Sequence, residues 1–115
     1  MLRGEIRWFE PGFARAGEAG GRRPVLVVSR DAISRASPVV IVVPLAAYSG
    51  QTLYPSDVLI RAPEGGIARD SVAMGLLMRA VDRDRLGRWV GQVGRETMER
   101  VEHAILKALD ITPSE

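Results

Sequence analysis

Turn-forming residues recur at short intervals along much of this sequence. They occur at Pro11-Gly12, Gly20-Gly21, Ser37-Pro38, Ser49-Gly50 and Pro63-Glu64-Gly65-Gly66. Glycine and proline interrupt regular structure, and the intervals between these sites are too short for long helices. β-Strands, which are usually about 3–10 residues long, fit those intervals. The spacing therefore predicts a mainly β protein built from short strands.

Apolar patterns typical of strands fill the intervals, and they lie at residues 5–9, 24–29, 39–43, 57–61, 71–81 and 88–93. The first pattern alternates, with Ile6 and Trp8 on one face. The second and third are apolar throughout, as in strands that are buried on both faces. The segment 71–81 fits either one bent strand or two short ones. We expect Trp89 in the core and a short helical turn after Arg30.

The end of the chain has a helical pattern over residues 96–109. Its apolar residues recur at spacings of three and four, and they are Met98, Val101, Ile105, Ala108 and Leu109. Gly94 precedes this helix, Pro113 follows it, and His103 falls on its polar, solvated side. We therefore predict one α+β, mainly β domain spanning residues 1–115. It is a small twisted antiparallel sheet, curled toward a barrel and closed by a C-terminal amphipathic helix.

The composition excludes several classes of site. The 115 residues include no cysteine and a single histidine, which excludes disulfides, thiolate metal sites and histidine-pair nucleases. No Walker loop, dinucleotide fingerprint or serine-nucleophile elbow occurs. Asp82 and Asp84 lie in the segment D-R-D-R, which favours a short helical turn with salt bridges over a metal site. We accordingly predict no metal ion and no cofactor.

Charge is distributed unevenly along the chain. Of the 16 basic residues, 15 are arginine, and the net charge is +2. Residues 11–56 contain five arginines and two acidic residues, whereas the sequence from residue 94 onward contains three basic and five acidic residues. Positive charge in the first half suits a polyanion, and the planar arginine fork matches phosphate. No segment reaches the roughly 20 apolar residues of a transmembrane helix, so we expect a cytoplasmic protein without membrane contact.

Residues 17–28, G-E-A-G-G-R-R-P-V-L-V-V, resemble part of the MazF/PemK family of toxin endoribonucleases. In that family a glycine-rich loop ends in x-R-P before an apolar strand. Five further segments resemble family motifs in the same order: Arg3-Gly4-Glu5-Ile6, Ser37-Pro38 with V-V-I-V-V-P, Tyr54-Pro55-Ser56-Asp57-Val58, Arg69-Asp70-Ser71-Val72, and Arg79-Ala80-Val81-Asp82 through Leu86. The resemblance covers nearly the whole chain.

The resemblance implies a specific fold and activity. The fold is an SH3-like barrel with a C-terminal helix, and the protein is a homodimer that a small MazE-like antitoxin holds in check. The activity is sequence-specific cleavage of single-stranded RNA without a metal ion, which inhibits growth. The ribose 2′-hydroxyl attacks the phosphate, which leaves a 2′,3′-cyclic phosphate and a 5′-hydroxyl.

The resemblance also implies catalytic residues. Arg23 matches the family's x-R-P arginine, which implies that it stabilises the transition state and is a candidate proton donor. Glu18 matches the loop glutamate, which accepts a hydrogen bond from a base edge or acts as a general base. The alternative for Arg23, without a catalytic role, is a salt bridge that caps the edge of the sheet.

Two positions depart from the family pattern. Ala46 stands where the family usually has a catalytic threonine or serine. Ser49 is the nearest hydroxyl downstream and is our third catalytic candidate. Along a regular strand it would face the other way, so it can replace that residue only if the chain turns after Ala46. Leu77 stands at the usual glutamine position, which removes one polar contact.

Five further residues are candidates for RNA binding. Arg22, Arg69 and Arg79 are expected to contact phosphates, while Tyr48 and Tyr54 are expected to stack on bases. The alternative is that these arginines are solvated and that the tyrosines pack against their own loops.

Two other functions stay open at this point. The first is a gyrase-poisoning toxin of the same fold, although the C-terminal D-I-T-P-S-E lacks the aromatic residue expected there. The second is a non-catalytic barrel that only binds RNA, which Ala46 alone favours. An RNA cleavage assay without magnesium distinguishes the three functions.

Overall fold

The computed structural model describes residues 1–10 and 22–112. Within these ranges the order of elements is β1 (Glu5–Phe9), β2 (Arg23–Val27), α1 (Asp31–Ala36), β3 (Val39–Ala47), β4 (Asp57–Ile60), β5 (Ser71–Met74), β6 (Arg79–Asp82), β7 (Leu86–Gln92) and α2 (Arg95–Ala108). Short 3₁₀ turns lie at Glu64–Gly66, Gly75–Leu77 and Arg83–Arg85. In the part of the chain described, no helix has the length and apolar character needed to cross a membrane.

The strands form an antiparallel sheet centred on β3. The order is β4-β5-β3-β2-β1-β7, and β6 also pairs with β3. β3 has room for three partners because it is nine residues long: β6 pairs with Val39–Val42 and β5 pairs with Leu45–Ala47. β6 and β7 follow each other in the chain yet lie at opposite edges of the β7-β1-β2-β3-β6 portion. The sheet therefore curls without closing, which confirms the predicted fold class.

Each face of the central strands is covered by its own hydrophobic cluster. The cluster beneath α2 includes Ile6, Leu26, Ile60 and Val101, and the cluster on the other face includes Val25, Val27, Val40, Val42 and Val81. Successive side chains of a strand point to opposite faces, so β2 contributes to both clusters. This confirms the prediction that β2 and β3 are buried on both sides, as their continuous apolar sequences indicate.

Several further predictions are confirmed. The segment 71–81 forms two strands, β5 and β6, with the turn Gly75–Leu77 between them. A helix follows Arg30, and α2 begins directly after Gly94. His103 is exposed on α2. The D-R-D-R segment forms a 3₁₀ turn in which Arg85 Nε lies 3.8 Å from a carboxylate oxygen of Asp82.

Two predicted core residues are exposed instead. Trp89 is 53% exposed, and it lies opposite Arg7 on β7, a strand at the edge of the sheet. The pairing of β1 with β7 is irregular on both sides of Arg7, and such irregularities break the simple alternation on which the prediction depends. Leu109 is 54% exposed; it follows the last residue of α2, Ala108, and precedes Asp110, whose φ of 56° takes the chain out of the helix. Pro113 lies outside the described residues.

Candidate active site

The ends of three neighbouring strands bring most of the predicted site residues together. β1 ends and β2 begins at the paired residues Phe9 and Arg23, and Trp8 pairs with Pro24. Val25 pairs with Pro44; Arg23 precedes this pair by two residues on β2 and Ala46 follows it by two residues on β3, so both lie at the same end of the sheet. We call this end of the sheet, formed by Trp8–Phe9, Arg22–Pro24 and Leu45–Ala47, the arginine rim.

The two adjacent arginines of the rim extend to opposite faces of the sheet. The Arg22 guanidinium lies 5.6 Å from the centroid of the Trp8 ring and 3.8 Å from a carboxylate oxygen of Glu10. Arg23 is on the other face with its cross-strand partner Phe9. The Phe9 ring in turn lies 5.5 Å from the guanidinium of Arg79, which enters from the start of β6. The rim therefore has a cationic group on each face.

The face that carries Arg23 suits phosphate binding. Arg23 and Arg79 are both exposed; Arg23 pairs with Phe9 across β1 and β2, and the Arg79 guanidinium lies near the Phe9 ring. Each guanidinium presents a planar set of donors that matches phosphate oxygens. Val25 and Val27, two and four residues after Arg23 in β2, are buried and fix the backbone from which Arg23 extends. Two arginines on a rigid support are an arrangement that can stabilise added negative charge on a phosphorus atom.

A cavity of about 330 Å³ opens on the other face of the rim. Most of its lining is apolar, and it includes Trp8, Pro24, Leu45, Ala46, Ile67 and Val90. Ser71 and Arg69 supply its polar side chains, while Gly66, Ala47 and Ala68 complete the wall. The turn that carries Gly66 packs closely on β7, since a Cβ atom on Gly66 would lie 2.3 Å from the carbonyl oxygen of Val90.

Ser49 lies beyond the end of β3. The strand continues through Ala47. The backbone N–H of Tyr48 still donates to the carbonyl of Asp70, the residue that precedes β5. For Ser49 to take the place of the family's hydroxyl, the chain would have to turn directly after Ala46, at residue 47. It turns two residues later, at Ser49-Gly50. The hydroxyl of Ser49 donates to the Gln51 side chain at 3.3 Å, and the residue is exposed. Its catalytic role stays a prediction.

The remaining predicted residues are distributed unequally. Arg69 lines the rim cavity and Tyr48 is half-buried next to the last pair of β3. Tyr54 is 66% exposed in the loop before β4, and β5 and β3 separate that strand from β2. The structure thus brings Arg22, Arg23, Arg69 and Arg79 near the rim and leaves Tyr54 at a distance. Glu18 lies outside the described residues.

Ser71 is a candidate that sequence reasoning did not single out. It pairs with Ala47, lines the cavity and is 7% exposed, and its hydroxyl donates to the carbonyl of Arg69 at 3.0 Å. It is therefore the buried hydroxyl next to the Ala46 position. Ser71 belongs to the segment Arg69-Asp70-Ser71-Val72 that resembles the toxin family. Only the pairing of β3 with β5 shows that its side chain faces the cavity.

The family model described as "PemK-like, MazF-like toxin of type II toxin-antitoxin system" matches residues 2–109. The chain belongs to this toxin family. It is 33% identical over 105 residues to the endoribonuclease EndoA of Bacillus subtilis, with 91% of this chain and 90% of that protein covered. It is 31% identical over 116 residues to the endoribonuclease MazF9 of Mycobacterium tuberculosis, with 96% and 98% covered.

Solved structures of this toxin family share the fold. A mycobacterial endoribonuclease in complex with its cognate antitoxin superposes with a TM-score of 0.81, 24% identity and 99% of each chain covered. A MazE–MazF complex from Deinococcus radiodurans superposes with a TM-score of 0.77 and 21% identity, and 97% of each chain is covered. The family assignment confirms the resemblance that the six sequence segments indicate.

Proposed function

We propose that this chain is the toxin of a toxin–antitoxin pair and an endoribonuclease that cleaves single-stranded RNA at a short sequence without a metal ion. We propose a single domain spanning residues 1–115. The observation that carries the proposal is that Phe9 joins two arginines: Arg23, at the start of β2, is its cross-strand partner, and the Arg79 guanidinium lies 5.5 Å from the centroid of its ring. Membership in the toxin family and the names of its relatives EndoA and MazF9 support the same activity.

The proposed reaction is an in-line displacement within the RNA. The 2′-hydroxyl oxygen bonds to the adjacent phosphorus while the bond from phosphorus to the 5′ oxygen of the next nucleotide breaks. A base accepts the proton of the 2′-hydroxyl, and an acid gives a proton to the leaving oxygen. The products are a 2′,3′-cyclic phosphate and a 5′-hydroxyl, so this step consumes no water.

The arginines supply the charge that this reaction requires. The transition state places additional negative charge on the phosphate oxygens, and donors already held in place stabilise it without reorganisation. We assign this role to Arg23, with Arg79 as a second phosphate contact. A guanidinium keeps its proton at neutral pH, so it is a poor general base. We keep Glu18 as the base candidate and Ser49 as the hydroxyl candidate.

Cleavage without metal ions tests the proposed function. Purified protein is expected to cleave single-stranded RNA in EDTA and to leave duplex RNA and DNA intact. Labelled products are expected to carry a 2′,3′-cyclic phosphate and a 5′-hydroxyl that polynucleotide kinase phosphorylates directly. Strict dependence on magnesium, or a 5′-phosphate on the products, contradicts the proposed route. RNA binding without any cleavage would instead support the non-catalytic barrel.

We propose that the functional form is a homodimer that binds a MazE-like antitoxin. An acidic antitoxin segment would pair with the rim arginines that RNA phosphates also use. Inhibition is therefore expected to be competitive with RNA and to weaken as salt rises, because both interactions are ionic. Cleavage measured while the protein of the neighbouring gene is titrated, at several salt concentrations, checks this. An antitoxin that stops cleavage while RNA affinity stays unchanged would show separate sites.

A further inference from the structure

The cavity of the arginine rim has the features of a subsite for one flat, weakly polar ligand. Its volume of about 330 Å³ lies at the lower end of the range for small-molecule sites. Its walls are mostly apolar, and Trp8 and the residues 66–68 are among those that line it. Sites of this kind combine apolar walls with a few fixed polar groups that orient the ligand.

Ser71 is the fixed polar group in this cavity. It is more than nine-tenths buried, and its hydroxyl hydrogen is donated to the carbonyl of Arg69. The lone pairs of the same oxygen are then available to accept a hydrogen bond from a ligand. Every nucleobase carries an N–H donor on its ring or amino group, so this acceptor suits a base edge.

The charges around the cavity suit a nucleotide more than a free aromatic molecule. Arg69 lines the cavity, and Arg22 lies over the Trp8 ring that forms its wall. Both side chains are exposed, and cations in such positions attract the phosphates of a bound strand. Arg23 is one residue from Pro24 in the cavity wall and projects to the other face.

We propose that the cavity holds one base of the RNA next to the scissile phosphate, with Trp8 as an apolar wall and Ser71 as a hydrogen-bond acceptor. This inference rests on the proposed function. An RNA strand that crosses the rim places its phosphate at Arg23 on one face and the neighbouring base in the cavity on the other. The cavity then determines which bases are accepted at one position of the cleavage sequence.

The test is a substitution that places a large side chain in the cavity opening. Ala47 is exposed and lines the cavity, so Ala47→Phe places a ring there without changing the core. Ala80→Phe is the matched control, because Ala80 is also exposed on a strand but pairs with Ile41 away from the rim. Thermal unfolding of both variants verifies that each is folded.

The substrate is a short RNA whose cut site has been mapped by sequencing, together with a series in which one base at a time is replaced by an abasic residue. For wild type and Ala80→Phe, one abasic position beside the cut is expected to lower kcat/KM by about 5- to 150-fold, the range for one base stacked on an aromatic side chain. Ala47→Phe is expected to show a similar loss on intact RNA and no further loss at that position. Wild-type kcat/KM for Ala47→Phe, or an unchanged response to every abasic position, overturns the proposal.

A binding measurement separates this proposal from the proposed function. The chain has two tryptophans, and the exposed Trp89 can be replaced by Phe to leave Trp8 as the single reporter. Its fluorescence is expected to change when intact RNA binds and to stay constant with the RNA that lacks the cavity base. If Trp8 fluorescence changes only with RNA that contains the cavity base, but the protein cleaves no RNA, the base subsite is supported and the nuclease function is contradicted. If the protein cleaves RNA but its fluorescence shows no dependence on that base, the nuclease function is supported and the base subsite is contradicted.

Discussion

Arg23→Ala is expected to lower kcat for RNA cleavage by about 10²–10³-fold, which corresponds to about 2.7–4 kcal/mol of transition-state stabilisation. The side chain is exposed at the start of β2, so its removal takes nothing from either hydrophobic cluster. The free energy of unfolding is therefore expected to stay within about 0.5 kcal/mol of wild type. Single-turnover cleavage of a mapped RNA, together with thermal unfolding, checks both parts.

Two further variants make this result specific. Arg23→Lys is expected to restore little activity, because an ammonium group cannot reproduce the two parallel donors of the guanidinium. Arg95→Ala is the matched control, since the Arg95 side chain is 94% exposed at the start of α2 and pairs with Glu99. A folded Arg23→Ala protein that cleaves at nearly the wild-type rate would show that the catalytic centre lies elsewhere.

The parts of the fold that depend on local pattern were predictable. Turn residues and apolar segments located the strands, and the spacing of Met98, Val101 and Ile105 located the helix. The length of β3 was not predictable from its own sequence. Its last residues, Leu45–Ala47, are a strand because β5 pairs with them, and that partner lies far along the chain. The exposure of Trp89 similarly depends on the irregular pairing with β1.

The candidate site, like the fold, was predictable only where it depends on local sequence. The R-R-P segment indicated Arg23 through its resemblance to the toxin family, and the buried strand that follows was readable from the sequence. The approach of Arg79 to Phe9, and the position of Ser71 in the cavity, result from contacts between distant strands. Neither contact leaves a pattern in the local sequence. The opposite directions of Arg22 and Arg23 follow from strand alternation, but only once β2 is known to begin at Arg23.

Leu26→Ala is expected to lower the free energy of unfolding by about 2–5 kcal/mol, the range for truncation of a fully buried leucine. Leu26 is 0% exposed in the middle of β2 and belongs to the cluster beneath α2. The lost side chain leaves a cavity between the sheet and the helix, which the short β2 is poorly able to close because β1 and β3 hold it on both sides. Urea unfolding measured by circular dichroism checks the size of the loss.

The same substitution at an exposed leucine separates burial from side-chain chemistry. Leu76→Ala is expected to change the free energy of unfolding by no more than about 0.5 kcal/mol, because Leu76 is 69% exposed in the turn before β6. The two variants also separate stability from catalysis, since Leu26 faces the cluster opposite to the Arg23 face. At temperatures where Leu26→Ala remains folded, its cleavage rate per folded molecule is expected to match wild type. A rate that falls in the fully folded protein would mean that packing beneath α2 sets the position of Arg23, and that the rim is less rigid than its buried strand indicates.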